Sequence, residues 1–140
     1  MSEQVSLWGG RFTGGPSQAL AALSVSTHFD WRLAFYDLAG SRAHARALAG
    51  AGLLDSEELS QMLAALGRLE EKVKSGAFTP DPADEDVHTA LERGLLEEAG
   101  EHLGGKLRAG RSRNDQIATL IRMYLRNQAR ALSERIIEVV

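Results

Sequence analysis

Apolar residues recur at intervals of three and four along most of the chain, the spacing of helices rather than strands. After Asp30, the stripe Leu33, Tyr36, Gly40, Ala43 and Ala47 predicts a helix that stops at Gly50-Ala51-Gly52. Asp55 then reads as an N-cap, with Glu58 three residues on as its capping-box partner. Leu59, Met62, Leu63, Leu66, Leu69 and Val73 mark one face of the helix that follows, which ends near Ser75-Gly76. Each proline of Thr79-Pro80-Asp81-Pro82 forces its predecessor out of the helical region, so this segment is a connector. Asp84, Glu85 and Asp86 suit the positive end of a third helix through Val87, Leu91, Leu95 and Ala99, closed by Gly100. From about Asn114 a fourth pattern, Ile117, Ile121, Tyr124, Leu125, Gln128, Leu132, Ile136 and Val139, forms a nearly heptad-like seam. At 1.5 Å per residue it spans roughly 40 Å. Residues 1–28 read as irregular, because Trp8-Gly9-Gly10-Arg11-Phe12 and Gly14-Gly15-Pro16 interrupt any helix.

The last helix has no stop signal at Ile136-Ile137-Glu138-Val139-Val140, the look of a helix cut through its middle. Its seam also needs partners, so the expectation is the front of a longer, helical, oligomeric protein. Residues 1–113 are expected to form a helical N-terminal domain and residues 114–140 the start of a long bundle helix. No internal repeat or low-complexity tract is visible. Composition agrees with an all-α fold: Ala and Leu occur 20 times each, against 6 Val and 4 Ile.

Sixteen Lys and Arg against nineteen Asp and Glu argue against a protein built around nucleic acid or an anionic membrane. The chain has no Cys, which excludes disulfides, thiolate nucleophiles and thiolate metal sites. No apolar run reaches membrane-spanning length and no signal-peptide pattern opens the chain, so a cytoplasmic protein is expected. The charge is uneven: residues 1–105 carry a balance of -8, and residues 106–140 a balance of +5. The basic excess begins at the glycine-rich segment from Gly104, which points to an anion there.

Gly110-Arg111-Ser112-Arg113-Asn114-Asp115-Gln116 concentrates two guanidinium groups, a hydroxyl and a carboxamide at the start of the long helix. Arginine forks bind carboxylate or phosphate, and free helix-start amides add positive potential. Glycines 104, 105 and 110 are expected to let the backbone approach a ligand. The plainer alternative is an ordinary N-cap, Ser112 or Asn114, between solvated arginines. Gly100 to Lys106 matches a phosphate-loop core, but Leu107 stands where Ser or Thr should hold magnesium, and a helix precedes it instead of a strand.

Glu85, His88 and Glu92 share a helical face. A metal reading needs a second copy of the Glu-x-x-His pair, which is absent. An acidic first turn with a partly buried His, or a His facing an anionic substrate, both remain open. His44 among small residues reads as structural and His102 as a loop residue. Ser24, Ser26, Thr27 and His28 are caps or ligand groups, and spacing does not choose. No nucleophile–base arrangement can be assembled.

Four strings together resemble the argininosuccinate lyase family: WGGRF at 8–12, DLAGSRAH at 37–44, EDVHTALE at 85–92 and KLRAGRSRNDQIAT at 106–119. Other members of the wider fumarase/aspartase superfamily share the fold but not these strings. The resemblance implies an all-α homotetramer in which a small N-terminal domain leads into the first long helix of a central bundle. It implies reversible elimination of argininosuccinate to arginine and fumarate, with no metal or organic cofactor and no nucleic-acid or membrane partner.

By the same resemblance Ser26, His88, Arg111, Ser112, Arg113 and Asn114 are substrate-binding. The family's catalytic Thr-His segment and mobile Gly-Ser-Ser loop are expected beyond Val140, so these 140 residues alone are expected to be inactive. Departures are Arg108-Ala109 where the family often has His-Thr, Leu120 where it often has Asp, and Leu23-Ser24 for a common Phe-Asn. The competing readings are a lyase acting on another fumarate-releasing substrate such as adenylosuccinate, a non-catalytic crystallin-like structural member, and a nucleic-acid binder. The last is weakened by Tyr124 being the only aromatic beyond residue 105.

Overall fold

The structure, a computed structural model, describes residues 17–139, so the WGGRF segment lies outside the described residues. Helices are their regular structure, with no strand among them: α1 (Gln18–Ser24), α2 (Thr27–Asp30), a 3-10 turn (Trp31–Leu33), α3 (Ala34–Gly50), α4 (Ser56–Ser75), α5 (Val87–Lys106) and α6 (Arg113–Val139). The all-α expectation holds. The irregular reading of residues 1–28 is corrected where it can be seen, since α1 and α2 are helical. The run QALAALS is made of good helix formers, which the glycines and proline before it overshadowed.

Helix α4 forms as its sequence dictates. The Asp55 side chain accepts from the Glu58 amide at 2.8 Å, and the Glu58 carboxylate accepts from the Asp55 amide at 3.2 Å. Gly76 closes the helix. Its buried stripe of Met62, Ala65, Leu66 and Leu69 meets Val87, Leu91 and Leu95 of α5 and Ala34, Leu38, Ala45 and Leu48 of α3. Each fully buried leucine contributes about 1.5–3 kcal/mol relative to exposure. This three-helix core is the platform on which the candidate site rests.

Two elements depart from expectation. In α3 the buried face is Ala34, Asp37, Leu38, Ser41, Ala45 and Leu48, whereas Ala43 and Ala47 are exposed and Leu33, Tyr36 and Gly40 half-buried. The reason is contrast: α3 is small or apolar nearly all round, and it packs against α4 and α5 as well as α6. In α5 the helix does break at Gly100, whose φ of 78° and ψ of 159° suit glycine, but residues 101–106 resume it. His102, Gly104 and Gly105 are therefore helical rather than loop. A Cβ at Gly104 would sit 3.0 Å from Leu96 Cδ2, so its small size serves helix packing.

Helix α6 is long, as expected, but Leu120 is its only buried residue among those described. Leu120 lies against Gly40 of α3, with the Tyr36 and Tyr124 rings packed edge to face at 6.0 Å beside it. Leu120, absent from the expected seam, absorbs one departure from the family pattern into packing. Ile121, Leu125, Leu132, Ile136 and Val139 of the seam are exposed. Among the described residues no helix is long and apolar enough to cross a membrane.

Candidate functional site

The segment between α5 and α6 is a series of tight turns. Arg108 N–H reaches the Gly105 carbonyl, Ala109 N–H that of Lys106, and Arg111 N–H that of Arg108. Gly110 supplies the positive φ of 66° that turns the chain back toward α3. His44 of α3 pins this loop by donating its Nε2–H to the Ala109 carbonyl at 2.9 Å, the structural role its sequence setting suggested. Arg108 pairs with Glu92, and Lys106 with Glu58, fastening the loop to α5 and α4.

Beneath the loop lies a buried polar cluster. Asp37 of α3 is 3% exposed and His88 of α5 is 6% exposed. One Asp37 oxygen, Oδ2, bonds His88 Nδ1 and accepts from Gln116 Nε2 at 2.7 Å. The other, Oδ1, accepts the Ser41 hydroxyl at 3.0 Å. Ser41 Oγ in turn accepts from Arg111 Nη2 at 2.8 Å. Burial alone would raise the Asp37 pKa, but the His88 ring, the Arg111 charge and the Ser41 hydroxyl outweigh it and hold the carboxyl below its ordinary value. Burial lowers the Arg111 pKa, and the Arg113 charge adds to this while Asp37 opposes it. Asp37, Arg111 and Gln116 line two adjoining cavities of about 230 and 220 Å³, and so stand between them.

The expected site residues divide into inner and outer groups. Arg111 turns inward to Ser41, and His88 turns inward to Asp37. Ser112 and Asn114 are exposed, and among the described residues neither side chain has a hydrogen-bond partner. Arg113 is half-buried, 3.6 Å from Asp86 Oδ1. The Ser112 carbonyl accepts the Gln116 amide at 3.0 Å, which makes Ser112 the N-cap of α6 by position. Ser26 stands apart at the start of α5. Its hydroxyl donates to Asp30 Oδ2 at 2.5 Å, its amide to the Glu85 carbonyl at 2.8 Å, and Asp30 Oδ1 accepts from Val87 N–H at 3.2 Å. It lines neither cavity.

The face Glu85, His88 and Glu92 does not converge: Glu92 goes to Arg108 and His88 to Asp37. Among the described residues no group of acidic and histidine side chains could hold a metal ion. The residues that reading the sequence missed are Asp37, Ser41 and Gln116. A signal for the first two was present: they are polar and four apart on the stripe that otherwise carries Ala34, Leu38, Ala45 and Leu48. Chemically, the outer group is an array of unengaged neutral donors beside guanidinium groups and the unpaired amides of a helix start. Such an array recognises carboxylates.

A family model described as "Lyase" matches residues 10–140. The chain is 70% identical over 139 residues to the argininosuccinate lyase of Thermobifida fusca (strain YX), which covers 99% of this chain and 29% of that protein. It is 67% identical over 139 residues to the protein of that name from Leifsonia xyli subsp. xyli, again with 99% and 29% coverage. It is 66% identical over 138 residues to that from Streptomyces coelicolor, with the same shares. The chain thus spans less than a third of the length of these relatives.

Proposed function

The chain belongs to the lyase family whose model it matches over residues 10–140, and on that premise we propose that it is the amino-terminal part of an argininosuccinate lyase. The whole enzyme splits argininosuccinate reversibly into arginine and fumarate. The observation that carries this reading is the outward row Ser112, Arg113 and Asn114, whose donors the fold leaves largely unengaged at the start of a 27-residue helix. The name of the relatives at 66–70% identity supports it.

In this elimination a base removes the proton from the carbon next to a carboxylate. The electron pair spreads into that carboxylate, the carbon–nitrogen bond breaks, and arginine leaves through its guanidino nitrogen as the fumarate double bond forms. Negative charge grows on the carboxylate, so donors already aimed at it lower the barrier without reorganising. Ser112, Arg113 and Asn114 contact the substrate carboxylates in this reading. Arg111 and His88 stand behind them and Ser26 lies across the start of α5. No metal or organic cofactor is invoked.

The Thr-His segment and the Gly-Ser-Ser loop that supply proton transfer belong to the remaining length of the polypeptide. Residues 1–113 form its N-terminal domain, and residues 114–140 open the bundle helix. The exposed seam of that helix is covered on assembly into a cytoplasmic homotetramer.

The test is fumarate release from argininosuccinate by the full-length polypeptide. Release above a buffer blank is expected from it, and none from the 140-residue chain alone. No release by a correctly folded full-length assembly overturns the reading and favours a structural member or a different substrate.

A further inference from the structure

Among the described residues Asp37 is the one group that touches both inner residues of the site, directly or through a single hydroxyl. We propose that Asp37 is a positioning residue for the elimination, orienting His88 through one carboxylate oxygen and anchoring Arg111 through the other. The inference rests on the lyase reading and deepens it.

The geometry distributes the protons. An ionised carboxylate only accepts hydrogen bonds. The bond between His88 Nδ1 and Asp37 Oδ2 therefore places the proton on Nδ1. Gln116 Nε2 lies 3.1 Å from the same ring nitrogen, and it is a donor to Oδ2 as well. The two N–H groups converge on one oxygen rather than bonding each other. His88 Nε2 is then the ring nitrogen left for a molecule in the 230 Å³ cavity that His88 lines. Among the described residues Nε2 has no hydrogen-bond partner, and no buried side-chain nitrogen or oxygen lacks one, so Nε2 is reachable. A carboxylate on one imidazole nitrogen sets the tautomer and the direction of the other.

The second branch runs from Oδ1 through the Ser41 hydroxyl to Arg111, at 3.0 and 2.8 Å. Arg111 immediately precedes Ser112, Arg113 and Asn114. Its anchor therefore sets where those donors stand, and a misplacement of about 1 Å costs on the order of a hundredfold in rate. A carboxylate is also a poor choice if the site served folding alone. Removing a charge from water is expensive, and an apolar residue would fill the same position at less cost.

The test uses the full-length polypeptide with Ser41→Ala and Asp37→Asn. Ser41→Ala cuts only the Arg111 branch and leaves a small, helix-favouring side chain. It is expected to lower kcat/KM for argininosuccinate roughly tenfold or more, with kcat itself reduced, because the donors that follow Arg111 lose their aim. Asp37→Asn disrupts both branches, because an amide cannot accept from all of these donors at once. It is expected to lower kcat about tenfold or more in the assembled protein. Lowered thermal midpoints with kcat and KM unchanged in both variants overturn the inference and make Asp37 structural. If Asp37→Asn does not fold, Ser41→Ala decides, because unchanged kcat and kcat/KM in it remove the Arg111 branch.

Nitrogen-15 NMR of His88 gives a readout that does not depend on activity. A proton on Nδ1 is expected, and a ring protonated on Nε2 alone overturns the orientation. Wild-type polypeptide that releases no fumarate but shows the Nδ1 proton sinks the lyase reading and leaves the orientation standing. Active wild type with indifferent variants sinks this inference alone.

Discussion

Two glycine-to-alanine changes on neighbouring helices are expected to move stability in opposite directions, although a helix-propensity scale treats them alike. Gly94 lies in α5 where it crosses α4. A Cβ there would stand 2.6 Å from Leu69 Cδ1 and 2.7 and 2.9 Å from two ring carbons of Phe78. Carbon atoms in contact prefer about 3.5–4.0 Å, so roughly 1 Å must be found. Neither neighbour yields easily: Leu69 is fully buried, and the buried Phe78 ring is overlaid by the Arg93 guanidinium 4.7 Å from its centroid. Arg93 is itself held by Asp84, at 2.8 and 3.2 Å.

Overpacking of this kind costs about 1–3 kcal/mol, against which alanine's helix preference returns up to about 1. Gly94→Ala is therefore expected to destabilise by roughly 1–2 kcal/mol. Gly67, inside α4, has nothing within 4 Å of its would-be Cβ. Gly67→Ala is expected to stabilise by about 0.5–1 kcal/mol. Thermal and urea unfolding followed by circular dichroism on the two variants in parallel reads the difference. A Gly94→Ala protein as stable as Gly67→Ala would refute the close packing of α4 on α5.

Other outcomes follow from the same structure. Asn114→Ala in the full-length polypeptide is expected to lower turnover about tenfold or more without changing the thermal midpoint, since the side chain is exposed and has no hydrogen-bond partner among the described residues. Wild-type turnover removes Asn114 from the site, and loss of assembly makes it structural. Asp55→Ala removes the carboxylate that accepts from the Glu58 amide, keeps the backbone amide that donates to the Glu58 carboxylate, and is expected to cost about 1 kcal/mol, read from the urea midpoint. An unchanged midpoint counts against the box.

Acid sensitivity has a defined sign. The Asp37 carboxyl is held below its ordinary 3.8 in the fold, so on acidification the unfolded chain takes its proton first. Its contribution to stability is complete above that value and is lost as the pH falls through the folded one. Asp37→Asn is expected to flatten the fall of stability with pH in that acid window, and an equal slope in both proteins refutes the argument.

Local signals were enough for much of the chain. The capping box at Asp55 and Glu58, the six-residue stripe of α4, the stop at Gly76 and the start of α5 at Asp86 depend on interactions within three or four residues. A sequence displays these directly. The outer donors Ser112, Arg113 and Asn114 were legible for the same reason: they are contiguous, and their residue types state their chemistry.

The pairings within the inner cluster were not legible. Asp37 meets His88 from 51 residues away and Gln116 from 79, and Arg111 reaches Ser41 across 70. No periodicity encodes which distant polar groups will share one buried volume. The face of α3 was misjudged on the same account. Its residues are small or apolar on most sides, and the helices that settle on it choose the buried one. The sequence alone determined that helices form, where several begin and end, and which donors lie at the start of α6. Tertiary packing decided which side of α3 is core, that Arg111 and His88 turn inward, and that Asp37 joins them, because desolvating a charge is tolerable only where folding brings its partners together.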